Sequence, residues 1–189
     1  KIEGTGRVTY PDGSVYEGEF RDDLANGIGK ITYPDGATYE GQWKDGIIDG
    51  RGLATYPNGL TYEGDFVNAK NEGQGVMTYP DGYRYEGQWI DGHIAGKGKV
   101  TYPDGAIYEG RFKDDLANGI GKITYPDGAT YEGQWDKGVI QGEGKAVYAD
   151  GLTYVGSFAN TRNHGYGVMT YPDGYRYEGQ WKDGQPHGR

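Results

Sequence analysis

TYPDGATYEGQW, residues Thr32–Trp43, recurs without a change at Thr124–Trp135, and the variant TYPDGYRYEGQW fills Thr78–Trp89 and Thr170–Trp181. Working outward, Tyr stands at 10, 33, 56, 79, 102, 125, 148 and 171, always 23 residues apart, and Gly follows three residues later each time. Self-similarity at a fixed period marks a repeat architecture, so it is settled before any local structure is assigned. Eight units follow one another without insertion or deletion. A second period of 46 lies above the first, because the closing aromatic alternates Phe20, Trp43, Phe66, Trp89, Phe112, Trp135, Phe158, Trp181. A third lies above that: residues 1–92 align with 93–184 at 67 positions. The chain therefore reads as one array, 1–189, made of two near-duplicate blocks.

Within the unit, Tyr39, Gly41 and Trp43 alternate with Thr38, Glu40 and Gln42. Period 2 with aromatic and β-branched residues is a strand with one wet face. Gly29–Tyr33 alternates too, and its Ile31 column is apolar in every unit, from Val8 to Met169. Pro34-Asp35-Gly36 between the two runs is turn chemistry: Pro presets φ, Asp tolerates the turn and Gly supplies φ > 0. Each unit is thus two short antiparallel strands, and the chain a meander of about sixteen. Gly41 inside a strand weakens it unless a neighbouring ring lies on the bare backbone. The Trp units carry an additional Gly three residues on (Gly46, Gly92, Gly138, Gly184), whereas the Phe units read as having a longer glycine-free loop, such as Arg21–Asn26.

YEGQWKDGIIDGRGLATYPNGLT, Tyr39–Thr61, resembles the MORN repeat: Tyr-x-Gly-x-Trp/Phe, a Gly-bearing loop, Gly-x-Gly-x-x-x-Tyr/Phe and a Gly turn. The match covers essentially the whole chain. The resemblance implies an all-β fold, an elongated single-layer twisted antiparallel sheet of stacked hairpins with a groove along one side. It also implies a scaffold or partner-binding role, with homodimers and phospholipid binding as family alternatives. The array begins in mid-unit and ends at His187-Gly188-Arg189, so both ends read as cut rather than capped.

No enzyme constellation breaks the repeat. His93, His164 and His187 fall in different units, Ser occurs only at 14 and 157, and there is no Cys. That leaves no nucleophile–base pair to assemble. Asp22-Asp23-Leu24-Ala25-Asn26-Gly27 has the acidity of a calcium loop but not its alternate carboxylates, and Tyr33 stands where a closing Glu belongs. No cofactor and no metal are expected. The net charge of −9 argues against nucleic acid, which attracts clustered Lys and Arg.

The function expected is therefore a non-enzymatic scaffold, cytoplasmic or peripheral to a membrane, that offers an aromatic groove to a peptide, helix or second protein. Tyr62, Phe66, Tyr85, Trp89, Tyr108 and Phe112 in the middle units are the expected groove, and Trp89→Ala should weaken binding more than Trp181→Ala at a frayed end. Two alternatives stand beside it: an anionic membrane surface, and carbohydrate or choline held by aromatic cages. The basic column that a membrane would need (Arg7, Lys30, Lys99, Lys122, Lys145) is broken by Leu53, Val76 and Val168, and it runs beside a column of Glu.

Overall fold

The computed structural model describes residues 1–188; Arg189 lies outside the described residues. It comprises two compact units, Lys1–His93 and the segment from Ile94 onward. The first holds β1 (Gly4–Thr9), β2 (Val15–Arg21), β3 (Leu24–Thr32), β4 (Thr38–Lys44), β5 (Ile47–Thr55), β6 (Thr61–Val67), β7 (Lys70–Thr78) and β8 (Arg84–Ile90). Each pairs antiparallel with the next in chain order. The second holds β9 (His93–Thr101) from its second residue, β10 (Ile107–Lys113), β11 (Leu116–Thr124), β12 (Thr130–Asp136), β13 (Val139–Val147), β14 (Thr153–Ala159), β15 (Arg162–Thr170), β16 (Arg176–Lys182) and the two-residue β17 (Gln185–Pro186), again paired in order. The described residues form no helix.

The Tyr-Pro-Asp-Gly turn behaves as its residues dictate. Gly36 N–H donates to the Tyr33 carbonyl at 3.0 Å, a type I turn with Pro at its second position. Asp35 Oδ1 accepts from Ala37 N–H at 2.9 Å, and Asn58 does the same for Leu60 at 3.0 Å. One side-chain oxygen two residues back is all the turn needs, which is why Asn can replace Asp.

The opposite connection differs from the expectation. The Phe units carry no longer loop: within each unit these connections are two-residue turns with positive φ at both positions, the type I′ hairpin. Asp45-Gly46 has φ 48° and 84°, whereas Asp22-Asp23 has 51° and 68° and Asn160-Thr161 has 48° and 67°. The additional Gly of the Trp units is simply the second turn residue. Phe units fill that place with Asp23, Ala69, Asp115 or Thr161, residues that pay a steric penalty there. Thr161 is β-branched and the most strained type of the four. Thr161→Gly should raise stability by about 1 kcal/mol, about 2–4 °C in a chain of this size. A lowered melting temperature would show that the turn is held by the Thr side chain instead.

In β2–β3, β4–β5, β6–β7, β10–β11, β12–β13 and β14–β15 the even-numbered strand meets its successor through a bulge. Gly41 pairs with Gly52, but Trp43 pairs with Ile48, so β5 carries two residues more than β4 across that interval. Gln42 sits at the slip and fills it, its Oε1 accepting from Arg51 N–H at 2.7 Å and its carbonyl accepting from the Tyr39 hydroxyl at 2.8 Å. The strand bends there without stranding a backbone group.

The glycines of successive strands lie side by side. In the first unit Gly6, Gly18, Gly29, Gly41, Gly52, Gly64, Gly75 and Gly87 are cross-strand partners in turn. A Cβ on Gly52 would overlap the Tyr39 ring, and one on Gly41 would overlap the Gly52 backbone. The rings lie on the bare chain, as the sequence suggested. They also interlock: Phe20, Tyr16, Trp43, Tyr39, Phe66, Tyr62, Trp89 and Tyr85 form one edge-to-face series with centroids 5.0–5.5 Å apart and planes at 81–87°. Such pairs add about 0.5–1.5 kcal/mol each beyond the area they bury. The second unit repeats the series from Phe112 through Tyr108 and Trp135 to Trp181 and Tyr177. This row is the core.

Candidate functional site

The six residues expected to line an open groove are interior. Tyr62 and Tyr85 are 0 % exposed, Tyr108 1 %, Trp89 3 %, Phe66 4 % and Phe112 7 %. Tyr62, Phe66, Tyr85 and Trp89 belong to the first unit and join one ring series; Tyr108 and Phe112 pair in the second. Trp181, expected at a frayed end, is as buried as Trp89, at 4 %. The correction has a simple cause. The strand tyrosines lie over bare glycine backbone, as Tyr39 does over Gly52, and pack edge-on against Trp and Phe on either side, so these rings cover one another.

A different column is open. Tyr10, Tyr33, Tyr56, Tyr79, Tyr125, Tyr148 and Tyr171, the first residues of the Tyr-Pro-Asp-Gly turns and of their variants with Asn58 and Ala149, are 36–40 % exposed, and Tyr102 is half-buried. Each presents a ring at the rim while its backbone closes the turn. In the second unit these rings wall two successive clefts. One lies between Tyr102 and Tyr125, with Pro103, Ala106 and Ile123. The next, of about 130 Å³, lies between Tyr125 and Tyr148 and is lined also by Tyr131, Ile140, Ala146, Phe158 and Thr161. None of the six residues expected from the sequence lines either cleft, and the turn tyrosines border both. The signal for the wall was present in the sequence, since a type I turn has no need of Tyr in its first position, yet every unit has one.

The rim is acidic. Asp104, Asp127 and Asp150 each spend Oδ1 on the turn's own N–H, at 2.9–3.0 Å. Burial, and then the Asp104 and Asp127 carboxylates, push the Tyr125 hydroxyl above its ordinary value. On the outer face Lys99, Lys122 and Lys145 of the second unit stand across from glutamates. Lys122 is the cross-strand neighbour of both Glu109 and Glu132, and Lys99 lies 3.4 Å from Glu109. Among the described residues there is no group of three or more His, Asp or Glu fit to hold a metal ion, and no helix is long and apolar enough to cross a membrane.

The interior tyrosines carry a pH signature. Burial pushes Tyr39, Tyr108, Tyr131 and Tyr154 up to about 12, and Tyr62 further still. The folded state keeps its protons where the unfolded chain begins to lose them near pH 10. Stability should be whole below about pH 10 and should fall as pH climbs toward 12. Thermal melts from pH 8 to 11.5 check this; a flat melting temperature would mean that these hydroxyls are wet.

The MORN repeat profile matches nine consecutive segments, 1–15, 16–38, 39–61, 62–82, 85–107, 108–130, 131–153, 154–174 and 177–189. The chain belongs to the MORN-repeat family. Its repeats are open-faced hairpins whose Tyr-x-Gly-x-Trp/Phe run makes the interior ring row. No curated protein sequence matches this MORN array. Two solved structures share its fold. The SAS-4 (dCPAP) TCP domain of Drosophila melanogaster, in complex with a proline rich motif of Ana2 (dSTIL), is 17 % identical over 94 % of this chain and 90 % of its own, with a TM-score of 0.51. A CPAP G-box domain is 16 % identical over 95 % and 99 %, with a TM-score of 0.56. At such identity the likeness speaks of fold alone.

Proposed function

We propose that this MORN array is a non-enzymatic scaffold that holds a peptide or protein partner against its tyrosine-walled face. The observation that carries the reading is the row of half-open turn tyrosines bordering two successive clefts in the second unit. Tyr presents much area at low entropic cost and is enriched at binding hot spots. The SAS-4 TCP domain, of similar fold, binds a proline rich motif of its partner, which supports a peptide-binding role for an open sheet of this kind.

The membrane-surface reading has less support. Lys99, Lys122 and Lys145 are each in cross-strand register with Glu109 or Glu132. A polybasic contribution of about 1 kcal/mol per cation needs cations that are not already neutralised. The test is panning of a random peptide library against the wild-type chain, with counter-selection on the folded Tyr125→Ala/Tyr148→Ala variant. Sequences enriched on the wild type alone are the expected result. Enrichment that survives both substitutions, or none at all, would overturn the assignment.

A further inference from the structure

The spacing of the tyrosine wall points to the conformation of its ligand; the inference rests on the peptide-binding reading above. Each repeat contributes two strands, and neighbouring strands lie 4.7–4.9 Å apart, so successive turn tyrosines should recur about every 9.6 Å. Few peptide conformations share that period. A polyproline II helix rises 3.1 Å per residue with three residues per turn, a pitch of about 9.3 Å. Over the three intervals between Tyr102 and Tyr171 the mismatch accumulates to only about 1 Å. An α-helix, with a 5.4 Å pitch, falls out of step by about 1.2 Å in every repeat. An extended strand covers the distance in three residues, but its side chains alternate with period 2, so every third one points the wrong way. Only the three-fold helix returns the same face to every tyrosine.

The clefts agree with that period. One lies between Tyr102 and Tyr125 and the next between Tyr125 and Tyr148, one hollow in each of these two successive intervals. Beside each ring stands a turn carboxylate, Asp104, Asp127 or Asp150, with one oxygen taken by the turn and the other unused by it. The first two push up the Tyr125 hydroxyl, so they lie close enough to act on whatever rests there. We propose that the tyrosine wall of the second unit binds a basic, proline-bearing segment in the polyproline II conformation. Its prolines are three residues apart and occupy successive clefts, and its Lys or Arg side chains meet the aspartate rim. The ligand arrives already stiff, so little chain entropy is lost on binding.

The test uses the full chain and three labelled dodecapeptides followed by fluorescence anisotropy. These are (Pro-Pro-Arg)4, (Gly-Gly-Arg)4 of equal charge without the stiffness, and a stapled alanine-rich helix bearing four arginines. The first should bind at least about tenfold tighter than the other two, a difference on the scale of a single hot spot. Tyr125→Ala/Tyr148→Ala, with an unchanged circular dichroism spectrum, should erase that advantage. Equal binding of (Pro-Pro-Arg)4 and (Gly-Gly-Arg)4 would reduce the site to charge attraction and overturn the proposal. Tighter binding of the stapled helix would overturn the ligand class and leave the scaffold reading standing. If no dodecapeptide binds, the panning decides: wild-type-specific sequences without proline spacing sink this proposal alone, and an empty selection sinks both.

Discussion

Gly75→Ala should cost about 3 kcal/mol, the upper end of what overpacking a core usually costs. Gly75 pairs with Gly64 on one side and Gly87 on the other, and the Tyr62 ring lies across it. A single methyl group there would overlap both the ring and its hydroxyl. The ring has no room to yield, since Phe66 and Trp89 stand edge-on to it at 5.0 and 5.2 Å. Lifting it would also break the hydroxyl's bond to the Asp65 carbonyl, 2.9 Å away at the bulge. Urea unfolding of Gly75→Ala measures the cost. A second variant, Gly75→Ala/Tyr62→Ala, removes the obstacle as well, so the two costs should add to less than their sum. A loss below about 1 kcal/mol for Gly75→Ala would mean that the ring does not rest on the backbone.

Trp89→Ala should cost about 3–5 kcal/mol, the usual range for a large ring removed from a core. The indole is edge-on to Tyr62 and Tyr85 at 5.2 and 5.4 Å, and its Nε1–H donates to the Gly75 carbonyl at 3.3 Å. Trp181→Ala should cost a similar amount. It meets Tyr154 and Tyr177 at 5.3 Å and donates to the Gly167 carbonyl at 3.2 Å. Denaturant melts of the two variants distinguish this account from the groove expected of the sequence. A Trp89→Ala chain of nearly full stability that no longer binds peptide would restore Trp89 to the surface.

Much of the fold was legible because local chemistry and global architecture agree. Pro34-Asp35-Gly36 names its turn, and the alternation of Tyr39, Gly41 and Trp43 names its strand. Gly41, unwelcome in an ordinary strand, signals a ring on the backbone. What hid the type I′ turns was the bulge beside them. With two residues more on β3 than on β2 between Gly29 and Ala25, the alternation breaks, and Arg21–Asn26 reads as a loop. Asp22-Asp23 also lacks the Gly that would have marked a two-residue hairpin.

The site was less legible for a related reason. Two tyrosine columns share one period, and nothing local to Tyr56 or Tyr62 says which is inside. That depends on the strand bending at Asp65, where the register slips between Gly64 and Phe66. The bend covers Tyr62 completely and leaves Tyr56 40 % exposed. Choosing the strand aromatic columns of the middle units selected the core.

The division of the tyrosines is therefore the central claim, and a photochemical NMR experiment tests it most directly. A flavin dye polarises only those tyrosine rings it can touch. Enhanced signals are predicted from the turn residues, Tyr10, Tyr33, Tyr56, Tyr79, Tyr125, Tyr148 and Tyr171, and from the exposed Tyr166 and Tyr175. Tyr16, Tyr39, Tyr62, Tyr85, Tyr108, Tyr131 and Tyr154 should stay silent. Polarised strand tyrosines beside silent turn tyrosines would contradict the account, returning the partner to the ring row and removing it from the wall.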